Sequence, residues 1–189
     1  MSVLGETVSI FRKVLVKRSY LTLSVFLGLA VSLNLILGPA MKYVLVLGML
    51  LIIASLSTFY YNYFHSPFNF ELVKLSSIVA TFAYGLVPGI AMAVAATLFS
   101  RLLSSRLNQR AVGSLLGIVA AVGVAYLLQP WGVVAAGMAA VLVYHLINLP
   151  LSLSMGDNWG FASVYTLSNV FFNALLISRL APFLLSVVV

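Results

Sequence analysis

Tyr165, Asn169 and Asn173 recur at i, i+4 and i+8, so a helix through them places all three on one face. Each carboxamide offers a carbonyl acceptor and two N–H donors. Within an apolar run such groups suit recognition rather than bond-making. They would wall a pocket for a polar ligand, or join helices for about 0.6–2 kcal/mol each. Tyr144, His145 and Asn148 make a second group, with His145 and Asn148 one helical turn apart. His145 could carry a proton or contact a ligand, or be a packing residue satisfied by a neighbour. Asn34 and Tyr84 are further candidates for the same pocket. Glu71 and Lys74 stand at i, i+3 at a helix start; they can pair and so lower the cost of burying Lys74, with an interfacial pair and Lys74 snorkelling outwards as the favoured expectation. Asp157-Asn158-Trp159 reads as a turn, an N-cap and an interface anchor.

Bond-making chemistry has little to work with. The chain has no Ser/His/Asp set, no paired carboxylates and no phosphate-binding glycine loop. Cysteine is absent and there are two histidines, His65 and His145, so no metal or cofactor site is expected. Glu6, Glu71 and Asp157 are the only acids, and none stands inside an apolar run, where a proton-coupled transporter would place one. No catalytic residue is assigned.

These groups ride on apolar elements. Of the 189 residues 63% are hydrophobic and 7% charged, against about 25% charged in a soluble domain. The expected fold is all-α: a polytopic transmembrane helix bundle of six or seven membrane segments, preceded by a short N-terminal interfacial helix over 1–19. Residues 20–189 form the single transmembrane domain. The net charge of +7 does not point to nucleic acid, because the cations flank the runs: Arg12, Lys13, Lys17 and Arg18 before the first, and Arg101, Arg106 and Arg110 between two others. That is the positive-inside distribution, and it predicts a cell-membrane protein with a cytoplasmic N-terminus.

The runs are Tyr20–Leu37, ended by Gly38-Pro39, then Tyr43–Tyr61, ended by an aromatic belt through Tyr63. Leu72–Ser104 would reach about 50 Å as one helix, against a hydrocarbon core of ~30 Å. Gly85-Leu86-Val87-Pro88-Gly89 is its natural break, giving helices over 72–86 and 88–104, with one tilted or kinked helix as the alternative. Ala111–Leu128, Gly132–Leu149 (ended by Pro150) and Gly160–Ser178 (interrupted by Arg179 and Pro182) complete the set.

Small residues recur every fourth position: Ser24, Gly28 and Ser32; Gly85, Gly89, Ala93 and Thr97; Gly113, Gly117, Ala121 and Ala125; Gly132, Ala136 and Ala140. Such stripes let helix backbones approach closely, either within this chain or against a partner subunit.

The stretch Glu71-Leu72-Val73-Lys74 through Phe82-Ala83-Tyr84-Gly85-Leu86-Val87-Pro88-Gly89-Ile90-Ala91 resembles part of an S-component of energy-coupling-factor transporters, over about twenty residues. The resemblance implies a small membrane subunit that captures a vitamin or other micronutrient. It also implies a small-residue stripe docked on a membrane coupling subunit, with an ATPase pair driving release. That family has six membrane segments where seven runs are counted here, and no ligand-specific motif matches. The expected partners are the lipid bilayer, a small-molecule ligand and other membrane subunits. A structural or assembly subunit using the Gly/Ala stripes is the alternative, and a lipid enzyme acting through His145 or the His65/Glu71 loop is a third reading.

Overall fold

The computed structural model describes residues 39–63, 68, 70–105 and 108–188. The segments 1–19 and 20–37, with Ser24, Gly28, Ser32 and Asn34, and also His65, lie outside the described residues. Among the described residues six α-helices follow one another: α1 (Pro39–Leu56), α2 (Val73–Tyr84), α3 (Leu86–Leu103), α4 (Arg110–Leu127), α5 (Gly132–Ser154) and α6 (Trp159–Val188). Short 3-10 turns at Phe59–Asn62 and Gln129–Trp131 follow α1 and α4. The described residues contain no strand, so the all-helical expectation holds. Four stretches among them are long and apolar enough to cross a membrane: Lys42–Asn62, Leu86–Leu103, Gln129–Ser154 and Trp159–Val188. That is consistent with a multi-pass membrane protein. The chain divides into two units, 1–46 and 47–189, within α1. The helix packing and the candidate site belong to the second unit.

The break expected in the middle of 72–104 occurs at Gly85, where φ is +93°. An L side chain is strained there, and glycine is not. The break leaves α2 with twelve residues. Short as it is, α2 sits at the centre of its unit, packed against α3, α4, α5 and α6. Every residue from Val73 to Thr81 is buried. Two of its buried hydroxyls are satisfied along the helix, with Ser77 Oγ donating to the Val73 carbonyl and Thr81 Oγ1 to the Ser77 carbonyl, both at 2.7 Å.

Small residues set the helix contacts. A Cβ on Gly89 would lie 2.9 Å from Thr81 Cβ, so α3 comes close to α2 only because Gly89 lacks one. A Cβ on Gly117 of α4 would lie 3.0 Å from the Tyr144 ring of α5, and one on Gly137 would lie 2.8 Å from Ile177 of α6. A Cβ on Gly113 would meet Asn148 and Leu151 at 3.5 Å. Gly89, Gly113 and Gly117 therefore pack within this chain, while Gly85 serves the turn.

Two helix ends differ from expectation. α5 runs through Pro150 to Ser154, and α6 runs through Arg179 and Pro182 to Val188. Proline removes one backbone hydrogen bond, yet α6 continues past Pro182 to a further buried residue, Val188, seven positions after Ala181 on the face that Asn173 and Ile177 share. Packing on that face outweighs the lost bond. At the other end Asn158 Oδ1 accepts the Gly160 N–H at 2.8 Å, the expected N-cap.

Candidate functional site

The aromatic segment after α1 does more than mark an interface. Tyr60 Oη donates to the Phe68 carbonyl at 2.9 Å and accepts the Phe70 N–H at 3.0 Å, and Tyr61 Oη donates to the Phe68 carbonyl at 3.2 Å. Thr58 Oγ1 donates to the Ser100 carbonyl at 3.1 Å, and Asn62 Nδ2 to the Leu103 carbonyl at 2.8 Å. Both acceptors belong to the last turn of α3, so these bonds hold that turn, and with it Arg101, over α4.

Arg101 is the hinge of the site. Its place between two runs reads from sequence as a topology charge. The structure puts it inside the last turn of α3, half-buried, with Nη2 donating to Ser114 Oγ on α4. Ser114 Oγ in turn donates to Asn148 Oδ1 on α5 at 3.3 Å. Arg101, Ser114 and Tyr165 line two adjoining cavities. The inner one, about 50 Å³, also meets Tyr61, Glu71 and Tyr144. The outer one, about 210 Å³, also meets Asn108, Asn148 and Asp157. Both are smaller than the ~300–1,000 Å³ usual for drug-sized ligands.

Glu71 and Lys74 correct the expectation of a surface pair. They do pair, but Lys74 is 1% exposed and Glu71 14%. The lysine cannot snorkel because α2 is enclosed by four helices. Its ammonium instead lies 3.9 Å from the centroid of the Tyr144 ring. Burial works against the Glu71 charge, yet Lys74 beside it, with Arg101 and His145 farther off, holds the carboxyl below its ordinary range.

Behind the Tyr144 wall lies the amide cluster. His145 packs edge-on to Tyr144, ring centroids 5.0 Å apart. His145 Nε2 and Asn169 Oδ1 are 2.8 Å apart, and Asn173 Nδ2 donates to the same Oδ1 at 3.1 Å and to the Asn169 carbonyl at 2.9 Å. A carbonyl oxygen only accepts, so Nε2 carries the proton. Asn169 and Asn173 are fully buried. His145 Nδ1, Asn169 Nδ2 and Asn173 Oδ1 have no hydrogen-bond partner among the described residues.

Of the residues picked out from sequence, Tyr165 lines both cavities and Asn148 the outer one. His145, Asn169 and Asn173 come together one side chain behind the inner wall. Tyr84 is elsewhere: Val73 lines the inner cavity, and Tyr84 is about 16 Å farther along α2, outside both linings. Sequence reasoning missed Arg101, Ser114 and the inward role of Glu71. One signal was present, since Thr97, Ser100, Arg101 and Ser104 fall at i, i+3, i+4 and i+7 and form a polar helix face.

No family model, curated protein or solved structure matches this chain. The paired cavities are therefore the strongest pointer to function.

Proposed function

We propose that this chain is an integral membrane substrate-binding subunit of a small-molecule transporter, taking a vitamin-like or micronutrient molecule and performing no chemistry of its own. One observation carries the reading: a chain built for a bilayer holds two small adjoining cavities lined by polar side chains around Arg101, Ser114 and Tyr165. Polar surface of that kind within an apolar bundle is costly unless something occupies it. The resemblance of residues 71–91 to an energy-coupling-factor S-component agrees with this assignment. In this reading the chain has six or seven membrane segments, a cytoplasmic N-terminus in the cell membrane, and further membrane subunits as partners. Native mass spectrometry of the gently solubilised protein tests it. A retained small molecule that is lost in Tyr165→Ala is expected. No adduct, together with no ligand-dependent thermal shift across a vitamin panel, would refute the reading.

The alternative, a structural or assembly subunit, draws on a different feature. Ala91, Val94, Ala95, Leu98, Phe99 and Leu102 of α3 line a wholly apolar groove. A stoichiometric protein partner without a small molecule in the same spectrum would favour that role.

A further inference from the structure

We infer that the inner cavity is a hydration site, holding a cluster of about three ordered waters that solvate Glu71 and join it to the hydroxyls of Tyr144 and Tyr165. Water in this compartment does not depend on a substrate in the outer one.

Size decides first. The inner cavity measures about 50 Å³. A water needs about 10–15 Å³ of such space and about two to four polar partners. A ring needs far more, since a cavity of ~150 Å³ is what takes up benzene. The compartment therefore suits a few waters and excludes an aromatic body.

The wall has the chemistry that water requires. Ser100 and Ser104 line it, and their hydroxyls already donate to carbonyls of α3, so each offers only lone pairs to the cavity. Glu71 adds a second acceptor of the same kind. Lys74 bonds its Oε1, while Oε2 has no hydrogen-bond partner among the described residues. A carboxylate oxygen left dry in an apolar bundle is costly. The Tyr144 and Tyr165 hydroxyls, which also bond no described residue, supply donors on the opposite wall. Water both donates and accepts, and so bridges the two kinds. An acyl chain would leave all of these groups facing hydrocarbon. A metal ion would have to share Glu71 with the Lys74 ammonium, and no group of three metal-ligating side chains occurs among the described residues. The water stops at the Tyr144 ring, because His145 Nδ1, Asn169 Nδ2 and Asn173 Oδ1 behind it are sealed from any space of that size.

Radiolytic hydroxyl-radical footprinting of the purified full chain in nanodiscs, read by mass spectrometry of its peptides, tests this. Radicals form where water is, so a buried side chain is oxidised only beside bound water. Tyr144 is the reporter, 3% exposed and lining the inner cavity but not the outer. Met92 is the control, 5% exposed and lining neither. Tyr144 is expected to label several-fold faster than Met92, although a thioether oxidises readily. The label should persist when a scavenger removes radicals from bulk water. Thr97→Leu, at a residue that lines the inner cavity alone of the two, should fill part of the space and roughly halve the Tyr144 rate with Met92 unchanged. If Thr97→Leu does not fold, the ratio of Tyr144 to Met92 on the unsubstituted chain still decides. A Tyr144 rate no higher than that of Met92 overturns the assignment, as does a label abolished by the scavenger. An unchanged Tyr144 rate in folded Thr97→Leu places the water elsewhere and overturns it too. None of these outcomes bears on the outer cavity, whose ligand is read separately by native mass spectrometry.

Discussion

The Lys74 ammonium lies 3.9 Å from the centroid of the Tyr144 ring while its nitrogen bonds the Glu71 carboxylate. One buried cation therefore ties the start of α2 to the middle of α5, behind the inner cavity. Because the lysine is enclosed, its two partners stand in for the water it has lost.

Breaking that pair should be costly. Glu71→Gln or Lys74→Met alone leaves an unbalanced buried charge, and each is expected to destabilise the protein by about 3–5 kcal/mol. The double substitution should recover most of the loss, because a neutral pair needs no compensation. Thermal unfolding in one detergent across the four proteins measures this, and equal losses in the single and double variants would exclude it.

The same pair sets an acid limit. The Glu71 carboxyl is held below its ordinary range in the folded protein. Its contribution is therefore complete above the unfolded-state pKa and is lost as pH falls through the lower folded value. Unfolding midpoints followed from neutral pH downwards should drop more steeply for the unsubstituted chain than for Glu71→Gln. Parallel curves would show that the carboxylate contributes nothing.

Several of these relationships are legible in the residues and several are not. Helical class, the break at Gly85 and the shared face of Asn169 and Asn173 follow from period, glycine chemistry and i, i+4 spacing. The burial of Lys74 does not, because α2 reads as a helix start at an interface and only the packing of four other helices encloses it. Arg101 is hidden for a related reason. A cation near a run's end reads as a topology signal, and the turn that aims it inwards is held by Thr58 and Asn62, about forty residues earlier in the chain. Pro150 and Pro182 read as stops, yet both helices run past them, α6 as far as the buried Val188.

Gly89 gives a packing test. Gly89→Ala would drive a methyl into Thr81 and is expected to cost about 1–3 kcal/mol. Thr81→Ala in the same chain should restore part of it. Gly48→Ala, where no atom lies within 4 Å of the added carbon, should be neutral or slightly stabilising. Equal effects at Gly48 and Gly89 in a thermal-shift series would contradict the contact.

The amide cluster gives a test of a different kind. Asn169 Oδ1 accepts from both His145 and Asn173. Asn169→Leu strands the buried His145 Nε2–H and should cost about 1–3 kcal/mol, while Asn173 Nδ2 keeps the Asn169 backbone carbonyl. Asn173→Leu should cost less, because His145 keeps its acceptor. A double-mutant cycle between His145 and Asn169 is expected to return a coupling of about 0.6–2 kcal/mol, and a coupling of zero would dissolve the cluster as a unit.

The lengths of α2 and α6 have a consequence for the surrounding lipid. Twelve residues reach about 18 Å and thirty about 45 Å, against a hydrocarbon core of ~30 Å. Because α2 is enclosed by four other helices, the mismatch that lipid meets is that of α6. The lipid beside the long helix is pressed to thicken or the helix to tilt. Such mismatch costs fractions of a kcal/mol per Å. Acyl-chain length thereby bears on the tilt of α6, and so on which membrane suits the protein best.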